Sequence, residues 1–396
     1  MRRFHQVHGL ALTIFSALVI GVPWLALAQQ PTRIGVSMAL TGKYALQGGY
    51  ARDGYQLCQK HVNAQGGVLG RPIEFVIRDD RSDEQAAIGV YEKLIAEDRV
   101  DAVLGPYSSP ITDAVADVTE KHRKLLIAPM AGTTSLWEKG RQNLIMVISS
   151  VELTPEGFLD LAARSGLKTI AVLNEDGLVA KAAAKGADEL ARKKNLDVVF
   201  SETYPKGTTD FSPLLNRVKA AKPDAFVIAA QLFGDLVAIT RQMRDVDLNV
   251  KMFSSLPYGG LPDYQKRLEN SAEFVYSATF WEPSLPYPGN REFVTAYEKE
   301  FNRAPALQSA NAYAGCQLLA EAARRAGSID SDKLRETLLK LKTKTILGDF
   351  AIDERGFQIA QKAVTTQWQD GKQVILWPDE VAAGKPRFPT PPWSAR

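Results

Sequence analysis

The 396-residue chain sets 48 Lys and Arg against 45 Asp and Glu, a formal net charge of +3, and 45% of its residues are hydrophobic. A charge so near balance, with both signs interspersed, excludes the basic footprint that nucleic-acid binding requires. The apolar content suffices for a substantial core, and residues 29–396 are enough for two domains of ordinary size.

The first 28 residues set the compartment. Arg2 and Arg3 make a basic start, residues 9–27 are uncharged and mostly apolar, and Ala26-Leu27-Ala28 forms a small-x-small cleavage site. The expectation is a secretory signal peptide cleaved after Ala28; Pro23 interrupts the apolar run and argues against a retained anchor. Because residues 1–28 contain no acids, losing Arg2 and Arg3 takes the formal charge from +3 to +1. No later stretch is continuously apolar for long enough to span a bilayer.

Downstream, strands and helices alternate. Arg33–Ala39 reads as a buried strand, Leu40–Gly49 as a glycine-bearing loop, and Tyr50–Gln65 as a helix. Ile73–Asp79 is a strand, Asp83–Ala96 a helix, and Asp101–Leu104 a third strand running into Gly105–Pro110, GPYSSP. In that turn Gly105 permits a tight bend, Ser109 suits an N-cap and Pro110 the first helical position before Ile111–Lys121. Hydroxyls and free N–H groups converging on a helix N-terminus favour an anion. Lys124–Ala128 is a fourth strand, ending at the small and hydroxylic Pro129–Thr134, and Asn143–Ser149 a fifth. Such alternation implies an α/β fold with parallel sheets, whose ligands sit beyond the carboxyl ends of the strands.

The pattern then restarts. Helices at Pro155–Ser165, Val179–Lys194, Phe211–Ala221 and Gly234–Asp245 alternate with strands at Thr169–Leu173, Asp197–Ser201, Ala225–Ala229 and Val250–Ser254. Glu273–Phe280 is a strand before a Pro-rich loop, and helices follow at Asn290–Phe301, Leu307–Ala326 and Ser331–Lys340. Ile346–Ile352 and Ala363–Gln369 read as strands joined by an Asp353–Gly356 turn. The tail 378–396, with five prolines and no periodicity, reads as an irregular, mobile extension.

Chemistry-bearing residues are few. Cys58 and Cys316 fall in expected helices, and pairing or two buried thiols are both open. Once the signal is removed only His61 and His122 remain, neither at metal-ligand spacing, so neither metal nor cofactor is expected. No GxSxG, GxGxxG or P-loop is present, and the chain is not expected to be an enzyme.

These segments, in this order, resemble the type I periplasmic solute-binding proteins of ABC importers, the leucine/isoleucine/valine-binding family. The resemblance covers residues 33–376 and rests on MALTGKYALQGGYARDG (38–54), NAQGGVLGRPIEFVIRDD (63–80), DAVLGPYSS (101–109), IAPMAGTT (127–134), TTDFSPLLNRVKAAKPDAFVI (208–228) and AIDERG (351–356). It implies two Rossmann-like lobes joined by a three-segment hinge, crossing near Ile148–Val151, Ser277–Trp281 and Thr345–Phe350. Lobe 1 is then 31–148 plus 280–345, and lobe 2 is 149–279 plus 346–377.

The resemblance further implies a periplasmic monomer that closes on a small carboxylate ligand and delivers it to an inner-membrane ABC permease; a sensor feeding a signalling partner is the alternative. Carried over by position, the carboxylate meets Ser108 and Ser109 and the loop Ala131, Gly132 and Thr133. Gln47 and Tyr107 flank the ligand, and Gln231, Phe233, Pro257 and Tyr258 face it from the second lobe. Amino-acid binders of this family carry an acid in the loop matching SSLPYGG. This loop has none, and the tyrosine expected within Asn174–Gly177 is also absent, which leaves Glu175 or Asp176 as a source of charge or as an exposed acidic turn. A buried ammonium without a counter-charge is costly.

Overall fold

The computed structural model describes residues 1–2 and 30–396; the expected cleavage after Ala28 lies outside the described residues. Chain order first builds a βα unit: β1 (Thr32–Met38), α1 (Ala45–Ala64), β2 (Ile73–Asp79), α2 (Glu84–Ala96), β3 (Ala102–Leu104), α3 (Ser109–Lys121), β4 (Leu126–Ala128) and β5 (Leu144–Met146). All five strands are parallel, in the order β2-β1-β3-β4-β5. Strands flanked by helices on both faces bury both of their own faces, and β3, β4 and β5 are accordingly short apolar runs without alternation.

The chain then enters a second unit. It comprises α4 (Glu156–Arg164), β6 (Thr169–Glu175), α5 (Leu178–Lys193), β7 (Asp197–Tyr204), α6 (Ser212–Ala221), β8 (Ala225–Ala229), α7 (Phe233–Asp245), β9 (Met252–Leu256), α8 (Pro262–Leu268) and β10 (Tyr276–Thr279). It returns through α9 (Asn290–Phe301), α10 (Leu307–Ala326), α11 (Ser331–Lys340), β11 (Thr343–Thr345) and β12 (Gly348–Phe350) to the first lobe. It ends with β13 (Val364–Gln369) and β14 (Lys372–Trp377) in the second. The second sheet runs β14-β13-β10-β9-β8-β6-β7, parallel except for β13, which is antiparallel to both of its neighbours.

Several expectations are corrected. The glycine loop is shorter than expected, because α1 starts at Ala45 and takes Gln47, Gly48 and Gly49 into its first two turns. Ser108, not Ser109, is the N-cap of α3, with extended φ of −139°, and Pro110 is the second helical residue. The strands flanking Asp353–Gly356 do not pair with each other. β12 pairs with β11, and β13 takes β14, which follows a two-residue turn at Asp370-Gly371 with both φ positive (53° and 71°). Residues 346–357 therefore pack with the first lobe, where Gly356 N–H and C=O bracket Asp353 O and Met146 N, and the third crossing falls after them. The tail is irregular but docked: Thr390 N donates to Lys251 O at 2.9 Å, Trp393 Nε1 to Leu248 O at 2.9 Å, and Arg387 pairs with Asp370. Its order comes from backbone and indole hydrogen bonds that no periodicity announces.

Cys58 and Cys316 form a disulfide between α1 and α10. The two helices approach closely at Gly54, where a Cβ would meet Ser309 O at 2.1 Å. Two side chains knit the three crossings. Gln361 Oε1 accepts from Ser149 N at 2.6 Å in the first, while its Nε2 donates to Phe280 O at 3.2 Å in the second and Leu347 O at 3.1 Å ahead of the third. Gln358 Nε2 donates to Val147 O at 3.0 Å, and its Oε1 accepts from Ala360 N at 2.8 Å. Both glutamines are buried. Their amides replace the backbone pairing that the crossings, lying between two sheets, lack.

Candidate functional site

The first wall grows from the end of β3. Gly105 is required there by close approach: a Cβ would lie 2.9 Å from Ala128 Cα at the end of β4. Tyr55 donates to Gly105 O at 2.9 Å and pins the turn. With Ser108 as N-cap and proline at the second helical position, the N–H groups of Ser109 and Ile111 have no intrahelical acceptor, and the positive end of α3 points out of the sheet edge. Ser109 Oγ accepts from Gly132 N at 3.2 Å, drawing the loop after β4 against this terminus. Ser108 Oγ and Thr133 Oγ1 are buried with no hydrogen-bond partner; the Tyr44 phenol lies beside Ser108 without completing a bond of good geometry.

The opposing wall comes from the ends of β8 and β9. Gln231 is 2% exposed, and its Nε2 is unpartnered. Tyr258 lies across the cleft from Tyr107, whose hydroxyl donates to it at 2.6 Å. Burial pushes the Tyr258 phenol up to about 12, the Tyr107 bond opposing and the Glu175 charge adding to the effect; burial raises Tyr107 well above the usual phenol range, and the Tyr258 phenol adds to the effect. Both are neutral hydrogen-bonding groups at physiological pH.

Between the walls lies a cavity of about 40 Å³. Tyr107, Ser108, Ser109, Gly132, Gln231, Pro257 and Tyr258 line it. Gln47, Ala131, Thr133 and Phe233 do not. Gln47 and Thr133 are buried with unpartnered polar atoms, Ala131 is fully buried, and the Phe233 ring packs under the Arg267 guanidinium at 5.2 Å. Eight lining residues escaped the sequence reading, six of them apolar; the two polar ones are Gln308 and Asn311, on the first turns of α10. Gln308 Oε1 and Asn311 Oδ1 are buried and unpartnered. Nothing local marks them, since the same helix also carries Gln317, Glu321, Arg324 and Arg325.

Among the described residues no charged side chain lines this cavity. Of the two acids at the end of β6, Asp176 is exposed and pairs with Lys181, whereas Glu175 is 2% exposed. Glu175 Oε2 accepts from Gln231 N at 2.7 Å and Leu232 N at 3.3 Å, so it satisfies the N-terminus of α7. Among the described residues no group of three or more His, Cys, Asp or Glu is placed to hold a metal. The arrangement presents hydroxyls, amide N–H groups and a helix N-terminus to the cavity, together with neutral amide side chains from α10.

A family model described as periplasmic binding protein matches residues 31–373. The Leu/Ile/Val-binding protein homolog 7 of Brucella suis biovar 1 is 26% identical, over 97% of this chain and 100% of its own. The leucine-, isoleucine-, valine-, threonine-, and alanine-binding protein of Pseudomonas aeruginosa is 25% identical, over 87% and 91% respectively. Among solved structures, the branched-chain amino acid transporter substrate binding protein LivJ of Streptococcus pneumoniae, in complex with isoleucine, has a TM-score of 0.79 at 23% identity, covering 88% of this chain and 100% of its own. A solute binding protein of an ABC transporter from Rhodopseudomonas palustris BisB5, in complex with 3,4-dihydroxy benzoic acid, has a TM-score of 0.75 at 24% identity, covering 87% and 95%. At these identities both structures speak for the fold.

Proposed function

The chain belongs to the periplasmic binding protein family, and from that premise and the cleft we propose that it is the periplasmic, monomeric solute-binding component of an ABC importer, capturing a small carboxylate between its lobes. The observation that supports this most is the set of buried polar atoms left without partners among the described residues: Ser108 Oγ, Gln231 Nε2, Gln308 Oε1 and Asn311 Oδ1, all on residues lining one cavity, and Thr133 Oγ1 on the loop beside Gly132. Buried polar groups are paired in folded proteins unless something else pairs them, and each unpaired one costs about 1–3 kcal/mol. Hydroxyl and N–H donors at the N-terminus of α3 suit a carboxylate, which needs no protein cation when hydrogen bonds and the helix dipole stabilise it.

Capture needs no covalent step. A ligand that touches both walls has more contacts in the closed arrangement than in the open one, and that difference in affinity shifts the population towards closure. The relatives named above are Leu/Ile/Val-type binding proteins, and one structural neighbour holds an aromatic acid. The charge-free inner cavity, with Glu175 already engaged by α7, favours acids without an α-ammonium for this chain. A thermal-shift panel of aromatic acids, aliphatic monocarboxylates, dicarboxylates and branched-chain amino acids tests the reading. Aromatic or aliphatic monocarboxylates are expected to raise the unfolding midpoint most. Stabilisation by leucine and valine alone would overturn the preference against an ammonium, and stabilisation only by uncharged solutes would overturn the carboxylate.

A further inference from the structure

Beside the inner cavity lies a second and larger chamber, of about 350 Å³. Pro257 and Leu307 line both, so the two spaces adjoin at these residues. The chamber is built by both lobes and by the second crossing: residues 257–262 and 368–373 from one side, 304–307 from the other, and Thr279–Ser284 between them. Its size falls within the range of about 300–1,000 Å³ usual for small-molecule sites. The inner cavity, by contrast, has room for roughly three waters, which suits a carboxylate group and not the body of a solute.

The chamber walls are mostly apolar. Trp281 and Trp368 present their rings, because both indole N–H groups are engaged elsewhere. Trp281 Nε1 donates to Asn290 Oδ1 at 2.5 Å and Trp368 Nε1 to Gly259 O at 2.7 Å. One acid interrupts this surface. Glu282 is 9% exposed, and among the described residues its carboxyl has neither a hydrogen-bond partner nor an ion pair. Burial alone pushes it up to about 8. The one other charged residue of the lining is Lys372, on β14.

Glu282 is also held in place. The fully buried Asn290 donates from Nδ2 to Glu282 O at 3.1 Å, Pro283 O at 3.2 Å and Leu285 O at 2.9 Å while accepting from Trp281. One amide thus fixes the whole turn that carries Trp281 and Glu282. A preorganised acceptor that is only 9% exposed beside a mostly apolar chamber is poorly solvated, and a ligand donor that meets it gains accordingly.

We propose that the solute is an elongated carboxylate: its acid end sits in the inner cavity, its apolar body lies against Trp281 and Trp368, and its far end donates a hydrogen bond to Glu282 from an amine or a hydroxyl. This rests on the carboxylate reading of the inner cavity. An ionised Glu282 favours an ammonium, and a protonated one favours a hydroxyl, which exchanges hydrogen bonds with it.

Calorimetric titration of the full mature chain tests this with 3-phenylpropionate, 3-(4-hydroxyphenyl)propionate and 3-(4-aminomethylphenyl)propionate, on the wild type and on Glu282→Gln. At least one donor-bearing probe is expected to bind about tenfold or more tighter than 3-phenylpropionate to the wild type, as a hydrogen bond to a buried charged or polar group allows. That preference is expected to collapse in Glu282→Leu, titrated alongside, whereas in Glu282→Gln, whose amide still exchanges hydrogen bonds with a hydroxyl, only a preference for the amine is expected to collapse. Which probe gains separates the amine from the hydroxyl. Equal binding of all three probes to the wild type, or a preference that survives in Glu282→Leu, overturns the role of Glu282 and leaves the carboxylate reading standing. Failure of all three to bind, with 4-ethylphenol binding in their place, overturns the carboxylate reading and this inference with it. The unfolding midpoint of Glu282→Gln, expected at or above that of the wild type, shows that any loss of binding is not a loss of fold.

Discussion

The hinge and the cleft are both rich in buried polar side chains, and they use them in opposite ways. At the hinge, Gln358, Gln361 and Asn290 are saturated, each amide spanning segments that no sheet joins. In the cleft, Ser108, Thr133, Gln231, Gln308 and Asn311 keep atoms without partners. The two sets cannot be told apart by composition or burial. Satisfaction separates these two sets: the hinge amides are paired within the chain, whereas the cleft atoms lie at or beside one cavity unpaired and are open to a solute.

The contrast is broken most severely at Gln361. Gln361→Ala strands Ser149 N, Phe280 O and Leu347 O, and is expected to cost ~4 kcal/mol of stability, at about 1–3 kcal/mol per unpaired group with partial rescue by water. Denaturant unfolding measures it, and a loss below about 1 kcal/mol would mean that the crossings do not depend on this amide. Removing the disulfide is expected to cost about 2–5 kcal/mol. The paired variant Cys58→Ser, Cys316→Ser should unfold at lower denaturant and keep its solute affinity, since the bridge joins α1 to α10 away from the cavity lining. An altered affinity would show that the scaffold and the site are less separate than drawn here.

Cleft variants should behave in the reverse sense. Tyr258→Phe removes the acceptor of the Tyr107 bond across the cleft and is expected to weaken solute binding by roughly tenfold while changing apo stability by about 1 kcal/mol. The smallest effect is a pH slope. Glu282, raised in the folded state, holds a proton that the unfolded chain releases at lower pH, so its contribution is fully present below the ordinary carboxylate range and is lost as pH rises towards about 8. Asp80 and Asp235, both pushed by burial to about 6, act with the same sign over a lower window. The unfolding midpoint of the unliganded chain should therefore decline between pH 6 and 8 in a way that Glu282→Gln largely removes. An identical decline in the variant would assign it to other groups.

Much of this was legible beforehand. Alternating apolar runs and helical periods placed most strands and helices, and GPYSSP with the small-residue loop after β4 marked the first wall. Three features were not legible, each for a physical reason. β14 and the docked tail depend on partners distant in sequence, so Lys372–Trp377 carries no local signal stronger than the Asp370-Gly371 turn before it. The pairing of β12 with β11 follows from where the third crossing falls, which the turn at Asp353–Gly356 does not encode. Gln308, Asn311 and Glu282 stand out only when their missing partners are seen, and partners belong to the folded state. Conversely Phe233, read from its position as a ligand contact, turned out to be packing beneath Arg267.

The central claim is that unpartnered cleft atoms belong to the solute. Ser108→Ala tests it most directly, because Ser108 Oγ bonds to nothing in the protein. Titration of the carboxylate that most stabilises the wild type is expected to show an affinity weakened about 10- to 100-fold in the variant, the worth of a hydrogen bond to a charged group, with the unliganded unfolding midpoint unchanged or slightly raised. Undiminished affinity, or a fall in that midpoint, would contradict it.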